Sequence, residues 1–264
     1  MAFSRINGIT VHWSAAGHAY GPAIVFSNAL GTDGRIWDRL IEPLGARYHL
    51  ITYDSRGHGL SDAPGGPYSI EGLADDLLAL ASFIGLERFA LVGISVGGLI
   101  AQQVAIQAPG KLAALVLCDT AARIGTLESW STRIEAMAAG DLDQIADPII
   151  ERWFAGAFRN QRQAELAGWR NMMTRTPVKG YVATCQALRD ADLTAEVRKI
   201  SAPTLMVAGE EDRATPPALV KGTADLIAGA SFKMIRQAAH MPCIEQPDRL
   251  SALIAEHLEG AGHV

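Results

Sequence analysis

One stretch constrains this chain of 264 residues more than any other: Val92-Gly93-Ile94-Ser95-Val96-Gly97-Gly98. An apolar run, Phe89-Ala90-Leu91-Val92, leads into it, and a helix-like run from Leu99 to Ala108 leads out and stops at Pro109. This is G-x-S-x-G between a strand and a helix, the setting in which that pattern carries meaning. A strand that reverses into a helix within about one turn forces the residue at its tip into a strained backbone conformation. Gly93 and Gly97 lack the Cβ atoms that would collide there. Ser95 is left standing clear of the sheet, beside helix N-terminal amides that favour negative charge. The expectation is a nucleophilic serine, provided that a histidine and an acid follow.

Around this elbow, strands and helices alternate. Residues 3–14 read as a hairpin turning on Asn7-Gly8, a dipeptide suited to a type I′ turn. Ala23–Ser27 and Leu112–Cys118 are short continuous apolar runs of the kind buried on both faces in a parallel sheet, and Tyr48–Tyr53 is a further strand. Ser69 caps a helix whose apolar residues, Leu73, Leu77, Leu80, Ala81 and Ile84, recur at helical period. Such alternation implies a parallel sheet with right-handed crossovers. The rhythm breaks at about Arg123. From there to about Arg189 the patterns are helical, punctuated by glycine and proline, and they hold three of the five tryptophans. Sheet rhythm resumes at Thr204–Ala208, followed by a helix from Pro216, a strand at Phe232–Ile235 and a last helix from about Pro247. We therefore expect an α/β core, residues 1–122 and 189–264, with a helical cap, residues 123–188, inserted into it.

The net charge of −5, without blocks of like charge, argues against a nucleic-acid partner. Cys118, Cys185 and Cys243 are odd in number and far apart, so neither a disulfide framework nor a zinc site is expected. No apolar run approaches the length of a membrane span, and the first residues carry no leader-like apolar region, so a cytoplasmic protein is expected.

A serine hydroxyl needs a base to become a nucleophile at neutral pH, and the base needs an orienting group. His240 follows the last strand, in Gln237-Ala238-Ala239-His240-Met241-Pro242, at the sheet edge where ligands bind in open α/β folds. Asp212 follows the strand ending at Gly209 and precedes His240, giving the order Ser95, Asp212, His240. Its rivals, Glu210, Glu211 and Asp119, are expected to be solvated loop charges. His12 lies in the hairpin, His257 in the last helix and His263 in a frayed tail. For the oxyanion, one donor is expected to be the backbone N–H of Val96. The other comes from the loop Ser27-Asn28-Ala29-Leu30-Gly31, through Ala29 with Leu30 as the competing register. The stretch Tyr53 to Asp62 lacks the Lys-Ser/Thr ending of a phosphate loop. It reads as a structural turn held by local Asp–Arg pairing.

Together, Ser95 in its elbow, Asp212, His240 and the turn Asp54-Ser55-Arg56-Gly57-His58-Gly59 resemble the α/β-hydrolase superfamily over nearly the whole chain. Several stretches resemble, within it, the 3-oxoadipate enol-lactonases: Ser27-Asn28-Ala29-Leu30-Gly31-Thr32; Arg123-Ile124-Gly125-Thr126 with Trp130 and Arg133; Arg152-Trp153-Phe154; Arg175-Thr176-Pro177 with Gly180-Tyr181; and Leu188 to Leu193. Most relatives carry His-Gly where this chain has Ser27-Asn28. The chain departs from the family at Ile94 and Val96, where Leu and Met are more usual, and at Met241-Pro242-Cys243 after His240. These departures are expected to alter pocket walls. The resemblance implies a mostly parallel eight-stranded sheet flanked by helices, with a helical cap. It also implies hydrolysis of an enol-lactone ring in aromatic-compound degradation, with no metal or cofactor.

Charge supports a small anionic lactone as substrate. Residues 123–189 hold nine basic and seven acidic side chains, a balance of +2, whereas the remainder holds 14 and 21, a balance of −7. A cationic lid on an acidic body attracts anions, and arginine is the usual carboxylate clamp. Arg133 and Arg152 are the candidate clamps, with Trp130 and Trp153 as candidate apolar walls. The same three catalytic residues would also serve a general carboxylesterase, a perhydrolase-like enzyme or a hydrolase of carbon–carbon bonds in ring-cleavage products. A non-catalytic ligand receptor on this fold is the alternative from another class. The oligomeric state is left open.

Overall fold

The computed structural model describes residues 1–137 and 140–264. Eight strands form one sheet: β1 (Ala2–Ile6), β2 (Ile9–Gly17), β3 (Ala23–Ser27), β4 (His49–Tyr53), β5 (Phe89–Ile94), β6 (Leu112–Cys118), β7 (Thr204–Gly209) and β8 (Ser231–Ile235). Their spatial order is β1-β2-β4-β3-β5-β6-β7-β8. The hairpin strand β2 runs antiparallel to β1 and to β4, and the pairings from β4 to β8 are parallel. Asn7 and Gly8, both at positive φ, make the hairpin turn. Strands β3, β5, β6 and β7 are buried along their whole length, which is why they read as unbroken apolar runs.

Helices α1 (Asp38–Gly45), α2 (Ile70–Ile84) and α3 (Val96–Gln107) follow β3, β4 and β5. Ser69 caps α2 by accepting the Gly72 amide, and the helix stops at Gly85, φ 84°. Its buried residues include Leu73, Leu77, Leu80 and Ala81, which face the core at helical period. Between β6 and β7 the sheet is interrupted by a helical insert: α4 (Leu127–Met137), α5 (Asp143–Trp153), α6 (Gly156–Gln161), α7 (Gln163–Thr174) and α8 (Val178–Asp190). The chain closes with α9 (Pro217–Ala224), α10 (Pro242–Glu245) and α11 (Pro247–Gly260). No helix among the described residues is long and apolar enough to cross a membrane.

Two local expectations change. Asp54 does not pair with Arg56. It turns back to accept the Gly34 and Leu60 amides and meets His12 Nδ1 at 2.8 Å, while Arg56 reaches outward to Asp76 on α2 in a two-pronged pair at 2.7 and 2.8 Å. His263 is not frayed: its Nε2 lies 2.9 Å from the Ala23 carbonyl, which docks the C-terminus on the start of β3.

The order of the strands gathers the candidate residues. Ser27 pairs with Gly93, so the loop after β3 lies beside the elbow after β5. Gly209 pairs with Ile235, so the loops after β7 and β8 are neighbours. All of them leave the same C-terminal edge of the sheet.

Candidate active site

Ser95 has φ 56° and ψ −121°, a left-handed conformation that a side chain disfavours. The surroundings hold it there. Its amide donates to the Cys118 carbonyl at 3.1 Å, and Thr120 Oγ1 donates to its carbonyl at 2.7 Å. A Cβ on Gly93 would fall on the Gly97 carbonyl, and one on Gly97 would fall on the carbonyls of Ser27 and Asn28. The second absence is what lets the loop after β3 rest on the start of α3. Gly97→Ala is therefore expected to push that loop away and destabilise the protein by about 1–3 kcal/mol. Thermal melting measures the loss, and kcat is expected to fall with it.

The loop itself is pinned by side chains behind it. Asn28 Nδ2 donates to the Tyr53 carbonyl at 2.5 Å, and Trp37 Nε1 donates to Asn28 Oδ1 at 2.8 Å. Ser27 Oγ and the Tyr53 hydroxyl lie 3.1 Å apart, and burial lifts that phenol to about 12 against the hydrogen bonds of Ser27 and Ser55. Ala29 and Leu30 both reach the cavity that Ser95 lines. Val96 opens α3, where an amide has no acceptor within its own helix.

Asp212 and His240 meet with Nδ1 to Oδ2 at 2.8 Å, both buried. Thr215 Oγ1 also donates to Oδ2 at 2.6 Å, and the amides of Ala214 and Thr215 donate to Oδ1 at 2.7 and 3.2 Å. Burial pushes the Asp212 carboxyl up, but His240 and these donors outweigh it and hold the group below its ordinary value. An ionised carboxylate only accepts, so the His240 proton sits on Nδ1 and leaves Nε2 as the free base. Ser95 and His240 line one cavity. No hydrogen bond joins them among the described residues; unliganded sites often hold such pairs apart.

Asp119 is not a solvated loop charge. It is fully buried at φ 45°, its amide donates to Val207 at 2.8 Å and its Oδ1 accepts the Gly209 amide at 2.7 Å. Burial, with Asp212 next to it, pushes its carboxyl well above the ordinary value. The sequence carries no sign of this, because the burial comes from β6 lying between β5 and β7. Asp119, Asp212 and His240 each place one atom within 4.8 Å of the others, a spacing that a metal could use. Asp212 Oδ2 is already engaged by His240 and Thr215, however, and burial pushes the Asp119 carboxyl toward its neutral form. Glu210 and Glu211 are exposed, as expected of loop charges.

The cavity measures about 150 Å³. Trp130, Trp153, Arg133, Arg152 and Tyr181 all line it, as do Ile149 and Arg213, which the sequence did not single out. Trp130 Nε1 donates to the Ile124 carbonyl at 2.6 Å, and the Arg133 guanidinium lies 4.9 Å from the centre of its ring. Three arginines and no carboxylate stand among the lining side chains. Elsewhere in the insert, Arg159, Arg162 and Arg170 pair with Glu151, Glu165, and Asp143 and Asp147, while Arg123 and Arg189 pair with Asp192 and Asp190. Arg133, Arg152 and Arg213 have no carboxylate partner among the described residues. The side chains at the departures, Ile94, Val96 and Met241–Cys243, are buried and are not among those that line the cavity.

Comparison with known proteins identifies the family. Residues 22–247 match the alpha/beta hydrolase fold. The 3-oxoadipate enol-lactonase 2 of Acinetobacter baylyi is 32% identical over 239 residues, 90% of this chain and 89% of that protein. The enol-lactonase structure from Burkholderia xenovorans LB400 superposes with a TM-score of 0.95 at 33% identity, covering 98% of this chain and all of that one. The malate-bound structure of a thermophilic esterase from Thermogutta terrifontis gives 0.94 at 28% identity, over the whole of both chains.

Proposed function

The chain belongs to the α/β-hydrolase family, and on that premise we propose that it is a serine hydrolase that opens the ring of 3-oxoadipate enol-lactone to give 3-oxoadipate. The observation that carries the reading is the cavity: a strained serine beside a histidine, facing three arginines that have no carboxylate of their own. Such a cavity suits a small ester that carries a free carboxylate. The enol-lactone is one, and the relatives in Acinetobacter baylyi and Burkholderia xenovorans bear its name.

In this reading Ser95, Asp212 and His240 are the catalytic residues, and the insert, residues 123–188, is the cap that selects the substrate. His240 Nε2 takes the Ser95 proton as Oγ attacks the lactone carbonyl. The amides of Val96 and Ala29, with Leu30 as the alternative to Ala29, hold the oxyanion. The C–O bond of the ring breaks, and the enolate leaves with the proton that His240 returns, later becoming the ketone. Water then gives a proton to His240 as it attacks the acyl-enzyme carbonyl, and His240 returns that proton to Ser95 Oγ as the acyl–oxygen bond breaks and the second carboxylate is released. An enolate leaves readily, so the machinery has less to supply than in amide hydrolysis.

Arg133→Ala and Arg152→Ala test the substrate class. Each charge-assisted hydrogen bond to a carboxylate is worth enough that its loss should raise KM for the anionic lactone about tenfold or more. Turnover of neutral p-nitrophenyl acetate should stay nearly unchanged. Equal losses on both substrates would mean a folding defect. A second reading, a general carboxylesterase, has support in the esterase relative from Thermogutta terrifontis. Wild-type enzyme that prefers p-nitrophenyl acetate to the lactone by a wide margin would decide for the esterase.

A further inference from the structure

Glu245 ends α10, five residues after His240, and is only 8% exposed. Its two carboxylate oxygens bind two separate parts of the molecule. Oε1 accepts the amide of Ala155 at 2.7 Å, and Oε2 accepts the amide of Ala239 at 2.7 Å. Ala155 lies in the insert between α5 and α6, two residues beyond the cavity-lining Trp153. Ala239 immediately precedes His240. One buried side chain thus bridges the insert and the loop of the base. A second link runs alongside it: Arg162, also in the insert, reaches the Ile244 carbonyl at 3.4 Å. Burial lifts the Glu245 carboxyl to about 7 with a push from Glu211, while the amides of Ala155, Ala239 and Met241 pull it down. The reaction scheme above uses Glu245 nowhere.

We infer that Glu245 is a positioning residue, which sets His240 through the Ala239 amide and holds the Trp153 wall of the cavity through the Ala155 amide. The insert and the base are thereby placed relative to each other by one group. Glutamate suits the task because both oxygens of its ionised form accept and its length spans both amides. Glutamine would turn an N–H toward one of them. The inference rests on His240 being the base.

Two variants cut the bridge at different points. Glu245→Gln damages one of the two links while keeping the shape of the side chain. Ala155→Pro removes only the donor in the insert. The backbone there suits proline, with Ala155 at φ −60°, ψ 155° and Phe154 before it at φ −125°, ψ 137°. Kinetics on the lactone and on p-nitrophenyl acetate, with melting curves for each variant, read the effect. Glu245→Gln is expected to lower kcat about tenfold or more in a folded protein, since small misplacements of a catalytic group act strongly on rate. Ala155→Pro is expected chiefly to raise KM for the lactone. In the double variant the glutamine oxygen no longer has to serve Ala155 and can accept the Ala239 amide, so kcat should fall no further than in Glu245→Gln alone. Losses that multiply in the double variant, or an unchanged kcat in Glu245→Gln, overturn the inference. If Glu245→Gln does not fold, Ala155→Pro decides: an unchanged KM overturns the bridge and a raised one supports it. His240→Ala separates the premise. Lost turnover there with an indifferent Glu245→Gln refutes the bridge alone, and retained turnover refutes the base.

Discussion

Ser95→Ala is expected to lower kcat/KM about a million-fold, the scale on which serine hydrolases lose activity with their nucleophile. The alanine keeps the Cβ, so the strain at φ 56° remains and the melting temperature should barely move. Ser95→Gly gives a second, opposite readout. Without a side chain the left-handed conformation is relaxed, and the inactive protein should gain about 1–3 kcal/mol of stability. Steady-state rates and melting curves on the two variants separate chemistry from fold. Full turnover in Ser95→Ala would move the nucleophile to another residue. Unchanged stability in Ser95→Gly would mean that the elbow stores no strain.

Asp212→Asn is expected to lower kcat about ten-thousand-fold at neutral pH with little change in KM. The reason lies in the donors around the group. Thr215 Oγ1 and the amides of Ala214 and Thr215 already point at Asp212, so an asparagine must satisfy them with its oxygen and turn its Nδ2 toward His240. His240 Nδ1 would then have to accept, and its proton would move to Nε2, which removes the base from Ser95. The carboxylate is held below its ordinary value. Its support of His240 is therefore present above that range and lost only as pH falls through it, so the substitution reveals at neutral pH what acid would otherwise be needed to show. A variant that keeps more than about a tenth of the wild-type rate would transfer the orienting role elsewhere.

How far the pattern reaches is clearest in single residues. Asn7-Gly8 and Ser69 act on their immediate neighbours in the chain, and each local reading agrees with the structure. The resemblance together with the charge of the insert singles out Trp130, Trp153, Arg133 and Arg152, and all four line the cavity. Arg213 faces it too, and its only signal was to sit next to Asp212. Asp119 and Glu245 read as ordinary charged residues. They are buried because β6 lies between β5 and β7, and because the insert folds down on α10. The Asp54–Arg56 pairing failed for a related reason: Asp76, far away in sequence, is the nearer partner for Arg56.

The sequence by itself determined the elbow with Ser95 at its tip, the alternation that makes a parallel sheet, the place where helices interrupt it, and the chain order of Ser95, Asp212 and His240. These follow from local physics: steric limits at a tight turn, the repeat of apolar residues and the capping of helices. Only the tertiary structure decided which charges are buried, which arginines line the cavity of Ser95 without a carboxylate partner, and that Glu245 bridges the insert to the loop of His240. Those depend on which strands and helices become neighbours, and burial acts on a carboxylate only once the chain around it has closed.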